Sequence, residues 1–345
     1  MTRNALLMML LVGVLSFLLS ACAVPPATET DESIEVLRWP VPPYPPRIEW
    51  VKEIRAAEDH GIDRGFFRRI SESISGVRSQ PIVKPYGVHA DAKGRLIVAD
   101  PGASVVHLFD TERNRYQALR GGKGTPFSAP IGVTGDHLGN IYVTDSGAGT
   151  IYRYNIKEQS YATFPSRQLE RPTGIVYSPR HEMLFVSETL AHRIVAFDLQ
   201  GAERFRIGQR GGGDVQFNYP TDLFIDSKGQ LYVTDALNQR IQILTPEGQL
   251  LGKFGEGGDT TGYFAKPKGV AVDSLGHIYV CDALLDAVQI FDSSGRLLLY
   301  FGGTGSRRGE FWMPTGIFID ADNYIYVADS FNRRIQVFRY VGKEG

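Results

Sequence analysis

The chain has 345 residues, with 37 Lys and Arg against 38 Asp and Glu, and two cysteines. A formal net charge of −1 argues against a protein that tracks nucleic-acid phosphates, since such proteins carry a basic excess. A hydrophobic content of 43% suffices for a core and excludes wholesale disorder, while 38 glycines and 16 tyrosines point to many short strands joined by tight turns.

Residues 1–21 have the layout of an export signal. Arg3 precedes an apolar run from Ala5 to Leu19 and then small residues, too short and wrongly flanked for a spanning helix. The sequence Leu19-Ser20-Ala21-Cys22 resembles a bacterial lipobox. That resemblance implies lipid on the thiol of Cys22, with more than one acyl chain (palmitate is typical) needed for a stable anchor. The alternative is an ordinary signal cut near Ala21. A lipidated chain would face the periplasm from the cell envelope, and Ala23 in place of Asp favours the outer over the inner membrane by the enteric rule.

From Cys22 to Pro46 the expectation is a tether, polar around Thr28–Glu32 and then a stiff proline-rich rod over Pro40–Pro46. Residues 47–80 are expected to hold one strand, Arg47–Ile54, and a short amphipathic helix. Phe67, Ile70 and Ile74 mark the apolar face of that helix.

The region 81–345 is governed by repetition. Pro-x-Gly recurs at Pro85, Pro130, Pro172, Pro267 and Pro314, and Pro220-Thr221-Asp222 is a sixth copy with Asp in place of Gly. The intervals are 45, 42, 48, 47 and 47 residues, and an apolar anchor (Ile82, Phe127, Leu169, Phe217, Phe264, Phe311) stands three residues before each proline. Each copy reads as short strands separated by tight turns, about four to a unit of roughly 45 residues, the mark of a propeller blade. These residues resemble the NHL repeat, in six copies over residues 82–338, which implies an all-β, six-bladed β-propeller. The last copy ends its third strand at Phe338 with seven residues remaining, so Arg47–Ile54 is expected to fill the outer slot of the last blade and close the ring.

The candidate chemistry is sparse. Gly121–Gly124, Gly211–Gly213 and Gly302–Gly305 lie between blades, and Lys123 is followed by Gly, so the phosphate-loop pattern fails. Cys281 sits in an apolar strand and reads as a small buried hydrophobe. Each second strand ends in an acid: Asp100, Asp145, Glu188, Asp235, Asp282 and Asp329. Arg193, Arg240 and Arg334 follow three of these by five residues, a spacing that allows ion pairs across a turn. Asp100, Asp145 and Asp282 have no such arginine. They are left either as candidate ligands for Ca²⁺ or Mg²⁺ or as acceptors of backbone amides and water.

Propellers of this resemblance include streptogramin lyases, peptidyl-hydroxyglycine amidating lyases and gluconolactonase-like hydrolases, which place metal ligands and a His base along the channel. Here only His89 falls on an inner strand and His192 on a loop at the same end, the candidate bases. His137, His181 and His277 fall in turns at the opposite end, so a three-histidine zinc site is excluded.

The loop after each acid carries Leu190, Leu237, Leu284 with Leu285, and Phe331 in blades three to six. These residues are either a partner surface or packing onto a neighbouring blade. Tyr86, Thr221, Asp222, Lys268 and Thr315, next to the blade prolines, are the expected polar contributors at the same mouth. The reading is a membrane-anchored, non-catalytic binding or scaffold module for an envelope partner. The alternative is a divalent-metal-dependent lyase or lactonase.

Overall fold

The computed structural model describes residues 36–62, 80–122 and 126–342. Five four-stranded antiparallel sheets and one five-stranded sheet form the six blades of a β-propeller. Blade 1 runs through Val88–Ala90, Leu96–Asp100, Val105–Asp110 and Arg115–Leu119, in that order from the channel outward. Blades 2 to 6 begin with the inner strands Pro130–Gly135, Pro172–Ser178, Pro220–Ile225, Pro267–Val272 and Pro314–Ile319. Each of these five strands starts at the repeated proline and shifts register just after it, so the two residues that follow the proline form a bulge at the channel mouth.

In the five units that carry it, the glycine is required by the neighbouring blade. A Cβ on Gly87 would lie 2.3 Å from the Ile131 carbonyl oxygen, and one on Gly132 would lie 2.2 Å from that of Thr173. On Gly316 it would lie 2.2 Å from the Tyr86 oxygen, which accepts the Gly316 amide at 2.9 Å and joins blade 6 to blade 1. The apolar anchors, from Ile82 to Phe311, are all buried. The core is divided into clusters that lie between successive blades, such as Ile97, Val106 and Leu119 against Phe127, Val133 and Ile141.

The strand Ile48–Ile54 pairs antiparallel with Arg334–Tyr340, placing Ile48 opposite Tyr340 and Ile54 opposite Ile335. The ring is closed as the residue count required. Trp50 donates its indole N–H to Gln336 and Arg334 grips Glu53, so both chain ends are held by side chains as well as backbone.

The proline-rich segment departs from the expected tether. Arg38–Trp39 is a fifth strand on blade 6, paired with Glu49 and Ile48, and Pro40–Pro46 is the connection between the two strands. Trp39 packs its ring on Phe301 and Phe338, and this apolar anchoring outweighs the spacer character of the prolines. Of the expected helix, only a 3-10 turn at Glu58–His60 is described. Phe67, Ile70 and Ile74 lie outside the described residues, as do the export signal, Cys22 and Lys123. Among the described residues no helix is long and apolar enough to cross a membrane.

Candidate functional site

The second-strand acids are fully buried and clasp the loop that enters their own blade. Asp100 accepts the amides of Val83, Lys84 and Ala103, and its other close partner is His107 at 3.2 Å. Asp145 accepts the amides of Ser128, Ala129, Gly147 and Ala148, and Asp282 those of Ala265, Lys266, Leu284 and Leu285. These three carboxylates are therefore not free to hold Ca²⁺ or Mg²⁺, because their lone pairs are spent on backbone donors. Burial alone would raise Asp100, but the His107 contact and the Val83 and Lys84 amides outweigh it and hold the carboxyl below its usual range.

In the other blades arginine supplies the remaining donors. Arg193 reaches Glu188 at 2.7 Å, Arg240 reaches Asp235 at 2.8 Å and Arg334 reaches Asp329 at 2.7 Å. Arg240 and Arg334 also bind carbonyls of the loop joining their blade to the one before, so each ties a blade to its entry. The acids are structural clasps in all six blades.

The axial channel encloses a cavity of about 370 Å³ lined by all six inner strands. Its upper collar brings together Tyr86, Thr221, Asp222, Lys268 and Thr315, the polar residues singled out beside the blade prolines. Asp222 stands where the other blades have glycine, and its Oδ2 accepts the Val270 amide of the next blade at 3.1 Å. Burial pushes its carboxyl up to about 7, against the pull of the Val270 and Leu223 amides. Burial, with Lys266 and Arg171 adding positive charge, pushes the Lys268 ammonium down to about 8. Burial and then the Asp222 charge push the Tyr86 phenol up to about 12, with Arg171 opposing. Tyr86 and Asp222 belong to blades 1 and 4, on opposite sides of the ring, so the Asp222 charge acts on the phenol across the channel mouth.

Below the collar the wall turns apolar and aromatic. His89 meets Phe318 edge-on with ring centroids 4.6 Å apart, and Phe224 lies 6.2 Å from Phe318. Burial pushes His89 down to about 4, so it is neutral at neutral pH and a weak base there. His192 does not join it. That ring is buried in the loop after blade 3's second strand, where its Nδ1 accepts the Tyr219 amide at 3.2 Å. Of the two candidate bases only His89 lines the channel, and Asp222 is the channel group best placed to exchange a proton near neutrality. Among the described residues no group of three His, Cys, Asp or Glu side chains could hold a metal. The donor set in the channel does not fit a divalent cation.

Around the mouth, Leu190, Leu237, Leu284 and Phe331 are 46, 60, 59 and 44% exposed, while Leu285 is half-buried. Trp312, 53% exposed, lies against Phe331 with ring centroids 5.5 Å apart, and the Lys84 ammonium sits 4.9 Å from the Phe331 ring. Trp312, Arg171 and Lys266 escaped the reading of the sequence. The available signal was that Lys84, Arg171 and Lys266 each immediately precede a blade proline.

Residues 131–257 match the family model described as the SMP-30/Gluconolactonase/LRE-like region, and residues 266–343 match one described as a 6-bladed beta-propeller. No curated protein matches the sequence. A protein of unknown function from Bacteroides thetaiotaomicron superposes with a TM-score of 0.61 at 15% identity, over 85% of this chain and 75% of that one. Virginiamycin B lyase from Staphylococcus aureus gives 0.55 at 17% identity, over 75% and 96% of the two chains. A gluconolactonase from Xanthomonas campestris gives 0.56 at 16%, over 75% and 86%. At these identities the likeness establishes the propeller fold.

Proposed function

We propose that this propeller is a binding or scaffold module that docks an envelope protein partner on the mouth end of its ring. It is an NHL-type module held at the bacterial membrane by lipid on Cys22, facing the periplasm, and it is non-catalytic. The observation that carries the reading is the row of exposed apolar side chains, Leu190, Leu237, Leu284 and Phe331, extended by Trp312, on one rim of a rigid ring. A monomer gains nothing from exposing these groups, whereas a partner that covers them gains roughly 25 cal/mol per Å² of apolar area buried.

The test is cross-linking in intact cells, comparing the wild type with a Leu237→Ser, Leu284→Ser, Phe331→Ser variant. A specific adduct that is lost in the variant, with melting unchanged, is the expected result. Adducts identical in both proteins would sink the proposal. Cys22→Ala is expected to move the chain from the membrane to the soluble fraction, and its retention in the membrane would refute the lipid anchor.

A lyase or lactonase is the second reading, favoured by the family match over residues 131–257 and by an Asp222 carboxyl titrating at about 7 in the channel. Since the donor set does not fit a metal, such an enzyme would have to work through Asp222 as acid or base. Turnover of a lactone that disappears in Asp222→Asn would shift the assignment to it.

A further inference from the structure

The collar of the channel carries positive charge that no ion pair among the described residues neutralises. Lys268 lines the cavity, and Lys266 and Arg171 lie close enough to act on it electrostatically. None of the three makes an ion pair among the described residues. The one carboxylate at the collar, Asp222, is committed to the Val270 amide. The cavity beneath is apolar and aromatic, and its 370 Å³ falls at the lower end of small-ligand pockets, which span roughly 300–1,000 Å³.

We infer that the channel mouth binds a small organic acid, with its carboxylate at Lys268 and its apolar body in the channel beside Phe224 and Phe318. Inorganic anions would satisfy the cations but leave the aromatic section unused. An amine would meet three like charges. The site lies inside the ring and is distinct from the apolar rim, yet it rests on the reading of this end of the molecule as the binding face.

The probe is phenylacetate, measured by ligand-observed NMR and by thermal shift on the purified full-length protein, beside phenylacetamide as its neutral isostere and inorganic phosphate. Phenylacetate is expected to bind with a Kd of about 1 mM or tighter, and phenylacetamide and phosphate about tenfold more weakly or worse. Lys268→Met and Arg171→Gln should each weaken phenylacetate about fivefold or more while leaving phenylacetamide unchanged. Acid and amide binding alike, or no binding of phenylacetate at about ten times that Kd, would overturn the inference. The Leu237→Ser, Leu284→Ser, Phe331→Ser variant should keep phenylacetate binding. Loss of the rim's partner and loss of the acid site are therefore separate outcomes.

Discussion

At the scale of single residues, the ring is held by close backbone approaches that only glycine permits. Gly316 illustrates this most sharply, because its amide donates to the Tyr86 oxygen and a Cβ would lie 2.2 Å from that same atom and 3.2 Å from the Gly87 Cα. Both obstacles are backbone, so neither yields by a rotamer change. Gly316→Ala must therefore push blade 6 away from blade 1, at a cost of about 1–3 kcal/mol by analogy with overpacked cores. Gly122→Ala is the control, since nothing lies within 4 Å of the added methyl. Urea titration should show a lower midpoint with unchanged slope for Gly316→Ala and almost no change for Gly122→Ala. Equal midpoints for the two variants would mean that the contact is not a constraint.

At the scale of elements, the sequence disclosed whatever repeats and concealed whatever occurs once. Six prolines with their anchors announced six inner strands, and the shortage of residues after Phe338 announced the closing strand Ile48–Ile54. The acids were legible as a set, but their partners were not. The amides they accept from the loop entering the blade lie 16 to 18 residues earlier, as with Trp312 and Asp329 or Glu170 and Glu188, and no side-chain pattern marks a backbone donor. The strand Arg38–Trp39 was hidden for a different reason. Proline density suggests an extended spacer, and the contact that overrides it, Trp39 on Phe301 and Phe338, joins residues some 260 to 300 positions apart. The candidate site shows the same division. Tyr86, Thr221, Asp222, Lys268 and Thr315 were found because they occupy repeat positions, and Asp222 stood out by breaking the pattern. Arg171 and the failure of His192 to reach the channel depend on loop geometry, which only the folded ring reveals.

At the scale of the whole molecule, the ionisable groups set opposing pH dependences, and their signs can be worked out. Burial first, then the Lys52 charge, pushes His60 down to about 4, and burial likewise takes His89 to about 4. Between the unfolded value near 6.5 and that folded value the unfolded chain binds more protons, so both histidines cost stability as pH falls from about 6.5 to 4. Asp222 acts in the opposite sense. With a folded value of about 7 against 3.8 unfolded, the native state binds more protons in between and gains stability as pH falls through that window. Glu188 adds a third phase. Burial would raise it, but Arg167, Arg193 and the Glu170 amide bring it down to about 2, so its stabilisation is fully present above about 4.5 and is lost between there and 2. The wild type should therefore lose stability from pH 6.5 to 4 and continue to lose it below, as Glu188 takes over from the histidines. Asp222→Gly restores the Pro-x-Gly pattern and removes the opposing term together with the bond from the Val270 amide, whose own loss lowers the midpoint at every pH without changing the slope between pH 6.5 and 4. Its urea midpoint should decline more steeply than wild type between pH 6.5 and 4, with the same fall below 4. Parallel curves across the upper window would show that Asp222 does not titrate near neutrality, removing the basis for any acid–base role in the channel.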